Sequence, residues 1–296
     1  MVILLTGATG FLGSHLLKKF LENKQEIVIL KRSFSDTSRI LDELSNIKSY
    51  DIDKIDLEDI FKENRISAII HTATDYGKTK ESIADLLETN LIFPIKLIDY
   101  AIKYGVEIFI NTDTYFSKDG INYNYLSNYS MSKKLLRTYL KSLNGKIKVV
   151  NAIIEHLYGE KDRDDKFVTQ MIKKIAKERV EQIDLTLGEQ KKDFIYVDDV
   201  ANAYIKILKY ARDNTFDFKS FDIGYGTSIS IKDFVKAIKD ISQSPTQLNF
   251  GAIPYREDEI MCFKSDNQTL LDIGWKPKYS YIDGISKVIQ WENKNV

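Results

Sequence analysis

Thr6-Gly7-Ala8-Thr9-Gly10-Phe11-Leu12-Gly13 joins two segments of different periodicity, and no other feature of the 296-residue chain constrains the fold as much. Before it, Val2-Ile3-Leu4-Leu5 is an uninterrupted apolar run, the pattern of a strand buried on both faces. After it, Leu16, Leu17, Phe20 and Leu21 recur at helical spacing. Glycines spaced G-x-x-G-x-x-G between strand and helix permit a tight turn. Their bare backbone lets an anion approach the N–H groups and the positive dipole end of the helix. A plain strand-to-helix turn is the simpler reading. The flanking elements favour a dinucleotide diphosphate held by Gly7, Thr9, Gly10, Phe11, Leu12 and Gly13.

The alternation continues. Ile27–Leu30 reads as a second buried strand, a helical stretch carries Leu41 and Leu44, and a weaker strand spans Ile47–Asp51. Helix is expected over Ile55–Glu63, strand over Ile66–Ile70, and a long helix over Glu81–Lys103 with Pro94 as a kink or cap. Strand over Val106–Ile110, helix over Asn128–Leu143 and strand over Ile147–Ile154 complete the series. This rhythm predicts right-handed crossovers and a doubly wound parallel sheet of α/β class. After Gly159 the elements become shorter and mixed. Helix is expected over Lys161–Val180, Asp198–Tyr210, Lys232–Ile241 and Tyr281–Trp291, with short strands at Leu185–Leu187, Phe194–Val197 and Phe221–Ile223. The expected organisation is a dinucleotide-binding domain over residues 1–160 and a smaller α/β substrate lobe over 161–296, with some segments crossing back.

Charge narrows the partners. Lys plus Arg and Asp plus Glu each number 43, so the net charge is zero. A general nucleic-acid binder needs excess cation to displace counterions, so nucleic acid is not an expected partner. Small anions held locally remain compatible. Cys262 is the only cysteine, which rules out an internal disulfide and a cysteine-based metal site and fits a reducing compartment. The N-terminus lacks a basic region ahead of its apolar run, and no run reaches the roughly 20 residues of a membrane span. A cytoplasmic protein without membrane contact is expected.

Two further clusters carry chemistry. The second strand runs into Lys31-Arg32-Ser33, where an NAD site usually has an acid for the ribose 2′-hydroxyl. Two cations and a hydroxyl suit a 2′-phosphate and leave no carboxylate to repel it, so NADP(H) is preferred over NAD(H); a solvated basic loop end is the bland alternative. Asp36 lies too far along the loop for the acidic position. Tyr129 and Lys133 form a Y-x-x-x-K that stacks both side chains on one helix face. Lys133 is expected to lower the phenol pKa of Tyr129, readying it for proton exchange with an alcohol or ketone, and to hold the nicotinamide ribose. Upstream, Thr112 at a strand end is placed to hydrogen-bond the reacting oxygen, with Asp113 as a further acid or polar anchor. A capping cluster is the competing reading.

Together these residues resemble the extended short-chain dehydrogenase/reductase family, the NAD-dependent epimerase/dehydratase group that acts on nucleotide-linked sugars. The resemblance runs nearly the full length. Thr6–Gly13 is similar to the family's cofactor loop, Asp51-Ile52 to its adenine-contacting pair, and His71-Thr72-Ala73 to its H-x-A beside the cofactor. Asn90 matches an Asn of the central helix, and Thr112, Tyr129 and Lys133 match its triad. Lys192–Ala201 is similar to R-D-F-I-x-V-x-D-V-A. Tyr255–Glu259 resembles the R-x-G-D diphosphate site, with Arg256 kept and the Gly replaced. Asp266 and Leu271–Pro277 match the closing pattern. The resemblance implies a Rossmann-like fold, cofactor contacts from Thr72 and Ala73, and substrate contacts from Thr74, Thr112, His156, Lys192 and Arg256. It also implies a homodimer built on the helices of Asn90 and Tyr129, for which Leu91-Ile92-Phe93 and Leu97-Ile98 supply a face, or merely core.

Departures from the family pattern narrow the reaction. Dehydratases carry Thr-Asp-Glu after the fifth strand; here Thr114 takes the place of the Glu base. Epimerases usually keep the ribose-binding acid, which Lys31 replaces. Where the family reads R-x-x-N-x-Y-G, this chain has Ile153–Gly159 with His156 in the Asn place, either a core residue or a substrate contact. The E-H-x-Y-G form resembles the branch of CDP-sugar 4-ketoreductases making 3,6-dideoxyhexoses such as paratose or abequose. The expectation is therefore an NADPH-dependent 4-ketoreductase of a nucleotide-diphosphate sugar serving surface polysaccharide. A nucleotide-sugar epimerase and a non-catalytic dinucleotide sensor stand as alternatives.

Overall fold

A computed structural model describes residues 2–77, 82–121 and 124–294. The chain begins β1 (Val2–Thr6), α1 (Phe11–Glu22), β2 (Glu26–Lys31), α2 (Leu41–Leu44), β3 (Lys48–Asp51) and α3 (Leu57–Glu63). It continues β4 (Ile66–His71), α4 (Ile83–Leu87), α5 (Phe93–Lys103), β5 (Ile108–Thr114), α6 (Ser127–Lys141) and β6 (Lys148–Ile154). Next come β7 (His156–Tyr158), α7 (Phe167–Ile172), β8 (Gln182–Leu185), β9 (Lys191–Lys192), β10 (Phe194–Tyr196) and α8 (Val197–Asp213). The last elements are β11 (Phe218–Ile223), β12 (Ile229–Ser230), α9 (Ile231–Ser242), β13 (Gln247–Phe250), α10 (Gln268–Asp272) and α11 (Tyr281–Lys294).

Seven strands form the main sheet in the order β11-β6-β5-β4-β1-β2-β3. β1 pairs in parallel with both β2 and β4, and β2–β3, β4–β5 and β5–β6 are parallel too. Strand order thus reverses about β1, and such a switch point opens a crevice at the carboxyl ends of the strands. The continuous apolar runs explain the layering: Ile3, Leu4, Leu5, Ile69, Ile70 and Phe109 have no exposed surface. Each such side chain contributes roughly 1.5–3 kcal/mol on burial. Leu97, Ile98 and Ala101 of α5 and Leu136 and Leu140 of α6 join Leu4, Ile69 and Phe109 in one core cluster. Leu97 and Ile98 are therefore core, whereas Ile92 is 37% exposed.

The helix expected over Glu81–Lys103 is two helices joined by a π-helical turn, Glu88–Ile92; its expected first residue, Glu81, lies outside the described residues. Pro94 sits in the first turn of α5. It lacks the N–H that would reach back to the Asn90 carbonyl, and the wider turn absorbs that break. The helix expected from Lys161 begins only at Phe167 and passes into a second π turn, Lys173–Lys177. Before it, Asp162 caps Arg163 N at 2.7 Å and Asp165 pairs with Arg163, side-chain bonds that compete with a helical backbone.

The chain divides into two compact units, Met1–Ile154 with Ala201–Phe221, and Glu155–Val200 with Asp222–Val296. The residues that cross back, 201–221, hold α8 beyond Val200 and β11 as far as Phe221. In the second unit β10 pairs with β7 and β13 with β8, both parallel, and β12 pairs with β9 antiparallel. Phe194 stacks on Phe234 at 4.0 Å, and the Tyr158 ring meets Phe234 edge-on at 5.6 Å. Buried Asp193 accepts hydrogen bonds from Tyr225 N, Gly226 N, Ser265 N and Ser265 Oγ at 2.7–3.0 Å. Asp199 receives Lys278 N at 2.9 Å and Tyr279 N at 3.0 Å.

Candidate active site

β1 ends at Thr6, and the chain turns through Gly7, whose φ of +72° suits glycine. A Cβ on Gly7 would lie 2.6 Å from Ala73 N, and one on Gly13 only 2.0 Å from Gly7 O, so both glycines allow backbone to pack on backbone. Gly10 is the N-cap of α1, with no side-chain cap and no acidic residue in the first turn. An open helix N-terminus beside half-buried Thr9, Phe11 and Leu12 fits the diphosphate of a dinucleotide. The end of β4 closes on the same loop: Thr72 Oγ1 donates to Thr6 O at 2.7 Å, and Ala73 N donates to Thr6 Oγ1 at 3.4 Å. Buried His71 shares a 2.8 Å hydrogen bond between Nδ1 and Thr6 Oγ1. Burial, with Lys133 nearby, pushes His71 down to about 3, so it is neutral.

The end of β2 corrects one expectation. Carboxylates are present there. Register pairs Lys31 with Asp51 on adjacent strands, and Lys31 Nζ forms an ion pair with Asp51 Oδ1. Asp53 accepts from Ser33 N at 2.7 Å and Ser33 Oγ at 2.6 Å, bonds that lower its carboxyl pKa. Arg32 is exposed, its guanidinium 5.7 Å from the Phe34 ring centroid. Ile52 N donates to Lys31 O at 2.9 Å, which brings Asp51-Ile52 level with the cations. Asp36 caps a turn, accepting from Ser38 N at 2.9 Å.

The catalytic candidates meet at the carboxyl end of β5. α6 buries Tyr129 and Lys133 on one face. Lys133 Nζ donates to the Thr112 carbonyl at 3.0 Å and lies 5.9 Å from the Tyr129 ring centroid. Burial pushes Lys133 down to about 8, with Asp113 opposing. Burial, then Tyr76 and Asp113, hold the Tyr129 phenol well above its ordinary value, while the Thr114 side chain pulls the other way. The expected lowering of Tyr129 is thus overturned here: desolvation dominates, and the bond of the Lys133 ammonium goes to the Thr112 carbonyl. Thr112 Oγ1 lies 2.7 Å from Tyr204 Oη.

Asp113 is an anchor rather than an acid. Its Oδ1 accepts from Thr114 N and Ser117 Oγ, both at 2.8 Å, and its Oδ2 accepts from Asn151 Nδ2 at 2.9 Å. Arg137 approaches to 3.8 Å. Only 2% of the Asp113 surface is exposed, and both its oxygens are bonded within the protein. Thr74 Oγ1 donates to Asn90 Oδ1 at 3.2 Å. Asn90 also receives Asp75 N, donates to Asp75 O and reaches Ser132 Oγ, which in turn donates to Tyr129 O at 2.7 Å.

Three expected substrate residues belong to the second unit. Lys192 Nζ pairs with Glu259 Oε1 at 2.8 Å and donates to Ile260 O at 2.7 Å, so its charge is already compensated. The His156 ring lies 5.7 Å from Phe194, and burial with Lys192 pushes it down to about 3. Arg256 is exposed. Sequence reasoning missed Tyr204 and Tyr76, the latter with its ring 4.9 Å from that of Tyr129. Tyr204 stands 92 residues from Thr112, and no local pattern connects them.

The pattern of the NAD dependent epimerase/dehydratase family matches residues 3–224. The chain is 34% identical over 293 residues to the CDP-abequose synthase of Salmonella muenchen, covering 97% of this chain and 96% of that one. It is 29% identical over 322 residues to the dTDP-4-dehydro-6-deoxyglucose reductase of Escherichia coli, covering 97% and 96%. The solved UDP-glucose 4-epimerase of Thermotoga maritima shares the fold with a TM-score of 0.83 at 23% identity, covering 99% of each chain.

Proposed function

The chain belongs to the NAD dependent epimerase/dehydratase family, and from that premise we propose that it is an NADPH-dependent reductase of a 4-keto nucleotide-diphosphate sugar. The observation that carries this reading is the convergence of Tyr129, Lys133 and Thr112 with a threonine, Thr114, beside the phenol where a carboxylate base would serve elimination. Tyr129 keeps its proton near neutral pH and gives it from Oη to the ketone oxygen. When bound, the reduced nicotinamide supplies the hydride that reaches the carbonyl carbon, so the ketone becomes an alcohol and the cofactor is oxidised. Lys133 acts as counterion to the phenolate left behind, and Thr112 donates to the same oxygen as negative charge develops on it. Thr114 offers no base to withdraw the neighbouring C–H proton, which disfavours water elimination.

Similarity to a dTDP-4-dehydro-6-deoxyglucose reductase supports the 4-ketoreductase reading, and similarity to a CDP-abequose synthase supports a cytidine nucleotide. Exposed Arg32 at the end of β2 supports the 2′-phosphate of NADP. A homodimer is part of the reading: Met131 and Leu135 on α6 and Ile92 are 42%, 44% and 37% exposed. The cytoplasmic placement rests on the single cysteine. The test is NADPH oxidation with CDP-, dTDP-, GDP- and UDP-linked 4-keto-6-deoxysugars and 4-keto-3,6-dideoxysugars. One substrate is expected to turn over, and Tyr129→Phe is expected to lower that rate about 10²–10⁴-fold while NADPH binding persists. No oxidation with any substrate rejects the reductase. A second reading, an NAD-using epimerase, draws support from Asp51 and Asp53 at the ribose end; NAD released on denaturing the purified protein would favour it.

A further inference from the structure

We propose that Tyr204 is a positioning residue that fixes the direction of the Thr112 hydroxyl, so that Thr112 donates its proton outward to the oxygen undergoing reduction; the inference rests on the reductase reading above. Tyr204 has no exposed surface, and its Oη stands 2.7 Å from Thr112 Oγ1. Distance alone leaves either oxygen as donor, and chemistry decides. A phenol is the more acidic partner, with a reference pKa of about 10, and therefore the stronger donor. Burial raises Tyr204 further and keeps it protonated. A hydroxyl has one proton and two lone pairs. If Tyr204 fills one lone pair of Thr112, the threonine proton remains for a third group.

The main chain is held as well, since Lys133 Nζ binds the Thr112 carbonyl at 3.0 Å. Thr112 is thus gripped at its backbone by α6 and at its side chain by α8. The grip from α8 selects one staggered χ1 rotamer among three. Asp113, the adjacent acceptor, does not compete, because Thr114 N, Ser117 and Asn151 occupy it. The line Tyr204 O–H to Thr112 O–H to substrate oxygen is a donor chain in which each bond polarises the next.

Tyr204→Phe removes only the oxygen and keeps the buried ring. We expect kcat to fall about tenfold with KM for the sugar nucleotide changed less than about twofold, part of the effect of deleting an oxyanion donor. In a Thr112→Val background the same change should cost nothing further. Methyl-threonine NMR on the substrate-free protein gives a second readout: one χ1 rotamer for Thr112 in the wild type, averaging in Tyr204→Phe. An equal kcat loss in both backgrounds, an unchanged kcat, or an unchanged single rotamer overturns the proposal. If the wild type reduces no keto sugar, the reductase reading falls, and the rotamer measurement still decides the role of Tyr204.

Discussion

Lys133 is a cation folded into a place that disfavours its charge. Its pKa of about 8 lies below the ordinary 10.5. Between those values the unfolded chain binds the extra proton, so this residue makes stability rise with pH over that window and lowers stability fully below about pH 8. Lys133→Met should therefore raise the thermal midpoint at pH 7 and abolish turnover, with the gain shrinking as pH climbs from 8 towards 10.5. A lower midpoint at pH 7 would contradict the account. Tyr129, Lys133 and Thr112 were legible because a spacing of four on a helix and a position at a strand end are local facts. The bond from Lys133 to the Thr112 carbonyl, the Lys31–Asp51 pair and the Tyr204 contact were not, since each depends on which strands and helices become neighbours.

The π turn Glu88–Ile92 between α4 and α5 is the element on which the site's geometry depends. It turns Asn90 inward, where one amide side chain bonds Thr74, both the N–H and the carbonyl of Asp75, and Ser132. Asn90→Ala would remove the partner of half-buried Thr74 and Asp75 and of fully buried Ser132 at once, at a cost of about 2–3 kcal/mol. The urea midpoint should drop accordingly, and turnover should fall because Ser132 also bonds the Tyr129 carbonyl. Unaltered stability would show that water replaces the amide. Most strands and helices of the first unit were readable from period alone, because runs such as Ile66–Ile70 admit few alternatives. The extra residue in the turn was not: Pro94 signalled a break, but only the core packing of Leu97 and Ile98 determines how the break is absorbed.

At the scale of the molecule, Met131, Leu135 and Ile92 are apolar side chains that the fold of one chain leaves exposed. Leu135→Glu should convert a two-chain particle into a one-chain particle by light scattering, with far-UV circular dichroism unchanged. A wild-type protein that already scatters as one chain would remove the dimer from the proposal. The division into units was harder to read, since residues 201–221 return to the first unit after an excursion through the second. That return has a consequence for any attempt to shorten the protein. β11, supplied by the returning segment, covers the outer edge of β6. A chain ended at Gly159 would keep Gly7, Gly10, Gly13 and the triad residues yet leave β6 as a bare, apolar edge strand, a template for pairing with other copies and for aggregation. The stretch that looks detachable is the one that keeps the sheet from growing.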